Sequence, residues 1–523
     1  MDGFIATETV VVELLLVVSL VALGVRRLRR LRLPYTVALV IAGLMITASQ
    51  PLQLRVTPEL ILALLVPPLV FEAALQISFD SLRRDLAGIL LLAVPGVILS
   101  TLIVGLLVSR LAPLALPLAM VFGALISATD PVSVVALFRA LGAPRRLALL
   151  VEGESLLNDG TAIVTFSIVL AAALTGSLNL VQGALDFLRV AAGGAAVGFA
   201  LGWVTARVIG QVDDHLIETT LTTVLAFGSY LLAEYFHVSG VLAVVVAGLV
   251  AGNLGPLGMS PTTRIVLFNF WEYAAFLANS LVFLLIGLQI DIPTLLGSWQ
   301  AVLAAIVAVL VARALTVYGL GWATRWLPEP IPLRWQHVQN WGGLRGAIGL
   351  ALALSLPAAL GPGVETVRVM AYGVVLFSLL VQSTTMGPLL HRLKIVAPDP
   401  AQIEYQTRHA RLVAFRAAAT HLERMQRDGL ISAHAWELVR PELVERAGDL
   451  GVKVRELLQG NPAMADAELA DARRELGRAQ RSALLGLRRD GVISDEVYAT
   501  LIAEVDSGLS DHTEELDESG VEG

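Results

Sequence analysis

GALISATDPVSVVAL (residues 123–137) is an apolar stretch with a carboxylate and a proline at its centre. Pro131 removes a backbone donor, and Asp130 beside it invites an unwound midpoint. A second interrupted stretch follows downstream, WGGLRGAIGLALAL (341–354), where Gly342, Gly343 and Gly346 surround Arg345. Each break carries an ionisable residue inside an apolar segment, which is costly in a membrane unless it serves a site. The surroundings are apolar enough for a bilayer: 56% of the 523 residues are hydrophobic and 15% are charged. Soluble domains fall roughly in the range of 45 to 50% apolar even with glycine counted.

Apolar runs of about 20 residues, the length a helix needs to cross a bilayer, recur as far as residue 395 or so. They predict about thirteen helices, near 9–25, 35–50, 58–77, 86–109, 112–138, 148–175, 183–209, 217–236, 238–253, 266–289, 299–324, 335–358 and 366–392. The first runs into RRLRRLR (26–32) without a small-residue cleavage site, so it is expected to be a retained span. With the N-terminus outside, the arginine-rich loops (26–32, Arg83 and Arg84, Arg139 with Arg145 and Arg146, Arg207, Arg264, Arg325 with Arg334) all fall in the cytoplasm, whereas the opposite loops hold only Arg55 and Arg110. This arginine bias predicts a multi-pass protein of the cell (inner) membrane. The two interrupted helices are the fifth and twelfth. Seven apart, an odd number, they run in opposite directions, as in an inverted-repeat transporter whose site lies at the midplane.

Charge divides the chain. Residues 1–399 carry 22 Lys+Arg against 21 Asp+Glu, while 400–523 carry 15 against 23. A near-neutral membrane part and an acidic tail leave no footprint for nucleic acid. The absence of cysteine excludes disulfides and thiolate metal sites. Neither lysine, Lys394 or Lys453, sits in a phosphate-binding GxxxxGK[ST] loop, so no ATP-driven motor is carried and any transport draws on an ion gradient. No HExxH is present and no catalytic role is expected. In the tail, RDGLIS (427–432) and RDGVIS (489–494) form a weak repeat. Gly429 and Gly491 suit helix C-terminal caps, and Ser432 and Ser494 suit the next N-caps. The expected organisation is a transmembrane domain over 1–395, a cytosolic tail of two similar helical hairpins over 396–506, and a disordered acidic end over 507–523.

The chemistry concentrates in EGESLLNDG (152–160), at the start of the sixth helix. Glu154 and Asn158 share one face and Ser155 and Asp159 another, because residues four apart are neighbours on a helix. Two carboxylates, a hydroxyl and an amide oxygen are hard ligands suited to a small hard cation, and Thr129 with Asp130 at the fifth helix can add more. Glu154 can equally pair with Arg313, and Asp130 with Arg345 can compensate the half-helix dipole ends at the two breaks. Glu72, Glu272, Asn279 and Ser280 are further polar residues in apolar helices.

FEAALQI (71–77), GALISATDPVSV (123–134), EGESLLNDG (152–160), FWEYAAFLANSLVFLLIGL (270–288), ARAL (312–315) and GGLRGAI (342–348) resemble the signature segments of the monovalent cation/proton antiporter family of bacterial NhaP-type and animal sodium/proton exchangers. The resemblance covers residues 10–392 in order. It implies an all-α membrane protein built as two inverted six-helix repeats with crossed broken helices, a core and a dimerisation domain, and a homodimer in the lipid bilayer. It further implies Asp159 as the carboxylate shared by Na⁺ and H⁺, with Thr129 and Ser155 coordinating the ion, Glu154 acting directly or through water, and Asn158 as the partner of Asp159. Arg313 would pair with Glu154, and Asp130 and Arg345 would stabilise the crossing. In that family the Asn-Asp pair accompanies electroneutral one-for-one exchange. No cofactor is implied beyond transported Na⁺ (or Li⁺ or K⁺) and H⁺. K⁺/H⁺ exchange is the alternative within the class, and a cation channel the alternative outside it.

Overall fold

The structure is a computed structural model that describes residues 14–24, 34–49, 57–177, 179–212, 214–255, 259, 261–396, 400–489, 491–494, 496–498, 500–502 and 504–505. The arginine-rich segment 26–32, Arg55 and the acidic end 507–523 lie outside the described residues. Regular structure among the described residues is entirely helical. The chain divides into two compact units, Met1–Val396 and Ala397–Gly523.

In the first unit the helices are α1 (Leu14–Gly24), α2 (Tyr35–Ser49), α3 (Val66–Gln76, entered through a π turn at Leu60–Leu65), α4 (Phe79–Ala93) and α5 (Pro95–Leu111). They continue with α6 (Leu116–Leu125), α7 (Val132–Leu141), α8 (Arg145–Thr175), α9 (Leu180–Ile209), α10 (His215–Tyr235), α11 (Gly240–Leu254) and α12 (Pro261–Gln289). The last are α13 (Ile292–Gly297), α14 (Trp299–Ala323), α15 (Leu333–Trp341), α16 (Ala347–Leu354), α17 (Gly363–Phe377) and α18 (Thr384–Arg392). Among the described residues, seven helical stretches are long and apolar enough to cross a membrane alone, with Phe79–Leu111 counted as one. Leucines exposed on their outer faces, such as Leu102, Leu106, Leu188 and Leu303, would face water unfavourably and suit lipid.

Local signals in the chain set the helix ends. Asn179 and Asp214 accept from the free amides of the first turns of α9 and α10, and Ser239 does so for α11. Gly142 and Gly176 take left-handed φ values of 71° to end α7 and α8, a conformation that a Cβ would strain.

Packing sorts these helices into two groups. One contains α2, α3 and α9–α12, the other α4–α8 and α14–α18, and contacts within each are dense while those between them are sparse. The first group depends on small residues: at the crossing of α2 and α12, a Cβ on Gly43 would lie 2.5 Å from the Leu284 carbonyl. Close backbone approach of this kind drives helix association where lipid removes the hydrophobic incentive.

The second unit holds α19 (Pro400–Arg427), α20 (Ala433–Gln459) and α21 (Pro462–Arg489). Gly429 and Gly491 adopt φ values of 73° and 71°. The Ser432 and Ser494 hydroxyls accept from the amides of Ala435 and Val497. Burial and the neighbouring Glu468 push the Tyr405 hydroxyl up to about 12.

Candidate functional site: a carboxylate-lined cavity at two interrupted helices

The apolar stretch around Pro131 divides into α6 and α7, and the glycine-rich stretch around Arg345 into α15 and α16. The two interruptions meet: the Asp130 amide donates to the Leu344 carbonyl at 2.9 Å. Unwinding leaves helix-end carbonyls and amides without intrahelical partners, and side chains supply them here. The Arg345 Nη1 donates to the Ser127 and Ala128 carbonyls at 2.7 and 3.0 Å, beyond the C-terminal end of α6. At the end of α15, the Arg313 Nη2 donates to the Gln339 carbonyl at 2.9 Å. The Asp130 Oδ1 accepts from the Val132 amide at 2.9 Å, at the N-terminus of α7. Positive groups thus sit at carbonyl ends and a negative group at an amide end, as the helix dipoles require. Gly346 is needed here, because a Cβ at that position would lie 2.5 Å from the Asp130 Cβ.

The middle of α8 passes beside the first interruption, and three hydrogen bonds fix Thr129. The Ser155 hydroxyl donates to the Thr129 carbonyl. The Thr129 amide donates to the Asn158 Oδ1 at 3.2 Å, and the Asn158 Nδ2 donates to the Thr129 Oγ1 at 2.6 Å. Asn158, 2% exposed, therefore spends its amide on Thr129 rather than on Asp159. Glu154, also 2% exposed, points to Arg313 and forms an ion pair with it.

A cavity of about 530 Å³ opens against these elements, and Thr129, Asp130, Ser155 and Asp159 line it. Among the described residues no arginine or lysine pairs with Asp159. Of the residues expected at a cation, Asp159, Thr129 and Ser155 thus share the cavity, whereas Glu154 and Asn158 stand behind its wall. Arg313 and Arg345 are likewise outside its lining. Glu72, Glu272 and Asn279 line the cavity further along, with Arg139 and Glu152. Ser280 does not: its hydroxyl lies 3.1 Å from the Tyr35 hydroxyl and donates to the Phe276 carbonyl.

Sequence reasoning passed over Asp85 and counted Arg146 only among the loop arginines, whereas Arg146 lies in the first turn of α8. Asp85, 7% exposed on α4, takes three hydrogen bonds from the Arg146 guanidinium of α8. Arg146 also reaches the Glu329 carbonyl and stacks over Trp335, which ties α4, α8 and the entry to α15 together. Little in the sequence signals the pair, because Asp85 follows Asp80, Arg83 and Arg84 in the charged first half of α4 and does not stand alone among apolar residues. The capping of α15 by Arg313 left no signal, because it depends on which helix end lies opposite α14.

The class that this geometry defines is a polytopic helical membrane protein with a carboxylate-lined cavity where two discontinuous helices meet. Residues 15–392 match the family model described as sodium/hydrogen exchanger, transmembrane, and the chain belongs to that family. It is 38% identical over 521 residues to the Na(+)/H(+) antiporter NhaG of Bacillus atrophaeus, covering 96% of this chain and 98% of that protein. To the Na(+)/H(+) antiporter ApNhaP of Aphanothece halophytica it is 40% identical over 419 residues, 78% of this chain and 80% of the relative. Its fold matches the sodium proton antiporter MjNhaP1 from Methanocaldococcus jannaschii with a TM-score of 0.61 at 20% identity, covering 75% of this chain and 99% of that one.

Proposed function

We propose that the protein exchanges Na⁺ for H⁺ across the cell membrane, with both ions competing for Asp159. The observation that carries this reading is the contrast in the cavity wall, where Asp159 lines the cavity and, among the described residues, meets no arginine or lysine, while Ser155, Asn158 and Glu154 are engaged with the protein. The names of the relatives, Na(+)/H(+) antiporters at 38 to 40% identity, support the ion pair chosen. A deprotonated Asp159 holds the cation with oxygens of Thr129 and Ser155, hard ligands for a hard ion. A protonated Asp159 has no charge to offer it. Glu154 acts from behind through Arg313, and Asn158 sets the position of Thr129. Asp130 and Arg345 hold the two broken helices at their crossing.

The exchange is one-for-one and electroneutral, since one carboxylate takes either one cation or one proton. The membrane part forms about thirteen spans in two inverted six-helix repeats, and alternating access moves the loaded site between faces. The α4–α8 and α14–α18 group serves as the core, and the other as the dimerisation domain of a homodimer; cross-linking in membranes tests the assembly. The arginine bias of the loops puts the N-terminus outside and the tail at 396–506 in the cytoplasm.

Dequenching of a trapped pH dye in proteoliposomes, scanned over Na⁺, Li⁺ and K⁺ with and without valinomycin, tests the whole reading. Na⁺-driven dequenching that valinomycin leaves unchanged is the expected result. Dequenching by K⁺ alone would convert the assignment to K⁺/H⁺ exchange.

A further inference from the structure

α7 is clasped to the other helix group at two places. The Thr36 hydroxyl of α2 lies 2.6 Å from the Ser133 hydroxyl at the start of α7, with both residues buried. At the far end of α7, the Arg139 Nη2 donates to the Gln76 Oε1 of α3 at 3.1 Å, and the Gln76 Nε2 in turn donates to Glu72. The same Nη2 lies 3.3 Å from the Glu152 Oε1 of α8, so α7's own group orients the guanidinium toward α3. Three of the four residues in this chain of contacts at the far end, Glu72, Arg139 and Glu152, line the cavity.

These contacts cross a boundary that is otherwise thinly packed. α7 is the half-helix that follows Asp130, and it lines the cavity together with α3 and α12 of the other group. For Asp159 to lose access on one side and gain it on the other, these helices must move relative to one another. We propose that the Thr36–Ser133 and Gln76–Arg139 bridges form an intergroup latch that holds the conformation described here and opens in each transport cycle. Gln76, Thr36, Ser133 and Arg139 are positioning residues in this scheme; none touches the transported ion. The latch rests on the antiport reading only in that it assumes the two groups move.

The absence of native cysteine allows the motion to be read directly. Spin labels are attached at Ala140→Cys on α7 and Leu254→Cys on α11, both exposed and on opposite groups. Their distance distribution is then measured in nanodiscs by pulsed electron resonance. The Thr36→Val and Gln76→Leu changes together are expected to raise a second distance population about three- to tenfold, the effect of losing one or two hydrogen bonds of ordinary strength. Thr36→Ser, which keeps the hydroxyl, is expected to retain the parent distribution. A double variant with the parent's distribution overturns the latch whether or not it still exchanges ions, and so does a Thr36→Ser protein that shifts as far as the double variant. Failure of the unlabelled wild-type protein to exchange ions would sink the antiport reading and leave the distance result standing.

Discussion

Asp159 and Glu154 lie five residues apart on α8, and the fold uses them in opposite ways. Glu154 is enclosed and neutralised by a guanidinium that belongs to the protein. Asp159 faces a cavity, and among the described residues no basic side chain answers it. A buried charge must be compensated, by the chain or by something that enters. Where the chain supplies the partner, the carboxylate holds helices together. Where it does not, the position is open to a mobile cation or a proton.

The strongest way to break this comparison is to remove the open carboxylate. Asp159→Asn is expected to lower Na⁺-driven exchange by at least about a hundredfold in the dye assay, since without the charge neither ion has an anchor. Its insertion and gel-filtration profile should match the parent's. Exchange at the parental rate would show that the cavity carboxylate is not the shared site.

Removing the partner of the enclosed carboxylate should act on stability first. Arg313→Met leaves Glu154 buried without compensation, a loss of about 3 to 5 kcal/mol for a broken buried pair. It also frees the Gln339 carbonyl at the end of α15. The double change Glu154→Gln with Arg313→Met is expected to regain much of that loss, measured as the unfolding midpoint in detergent. A double variant no more stable than the Arg313→Met protein alone would assign the loss to helix capping instead of to the ion pair.

pH sharpens the contrast. On the proposed competition, protons occupy Asp159 more as pH falls, and an occupied Asp159 cannot hold Na⁺. The apparent KM for Na⁺ should therefore rise with acidity, approaching about tenfold per pH unit below the site's own pKa for one-for-one competition. The limiting rate at saturating Na⁺ should change far less. A fall in exchange with acidity that saturating Na⁺ does not relieve would rule out a common site.

The smallest effect is expected at Asn158, which fixes the position of Thr129. Asn158→Ala removes two hydrogen bonds to Thr129 and should raise the Na⁺ KM about three- to tenfold. It should leave the valinomycin response unchanged, because no charge is added or lost. A variant with unaltered KM would show that Thr129 holds its place without Asn158.

Much of the architecture was legible in the chain. Apolar runs, glycines and proline mark where helices can form and where they cannot, and these are local properties of the backbone and its solvent. The interruptions after Leu125 and after Trp341 fall where Pro131 and the Gly342–Gly346 cluster forbid a regular helix. The pairing of Arg313 with Glu154 could be anticipated because a buried carboxylate demands a cation and few were at hand. Asn158 was less predictable. The resemblance implied Asp159 as its partner, and the fold instead brought Thr129, in the break between α6 and α7, within reach of both ends of its amide. The Asp85–Arg146 contact joins residues 61 positions apart and depends on how α4 lies across α8.

The sequence by itself determined which segments are helical, where two of them must break, and which side chains carry charge into an apolar setting. Those features follow from hydrophobicity, backbone donors and ring constraints, each a property of a residue and its near neighbours. The tertiary structure decided which charges are answered. Partnership between side chains depends on distances of about 3 Å between helices far apart in the chain, and no local pattern encodes them. That Asp159 meets a cavity while Glu154 meets Arg313 was settled only when α8 was packed against α4 and α6 and the long Arg313 side chain of α14 reached it.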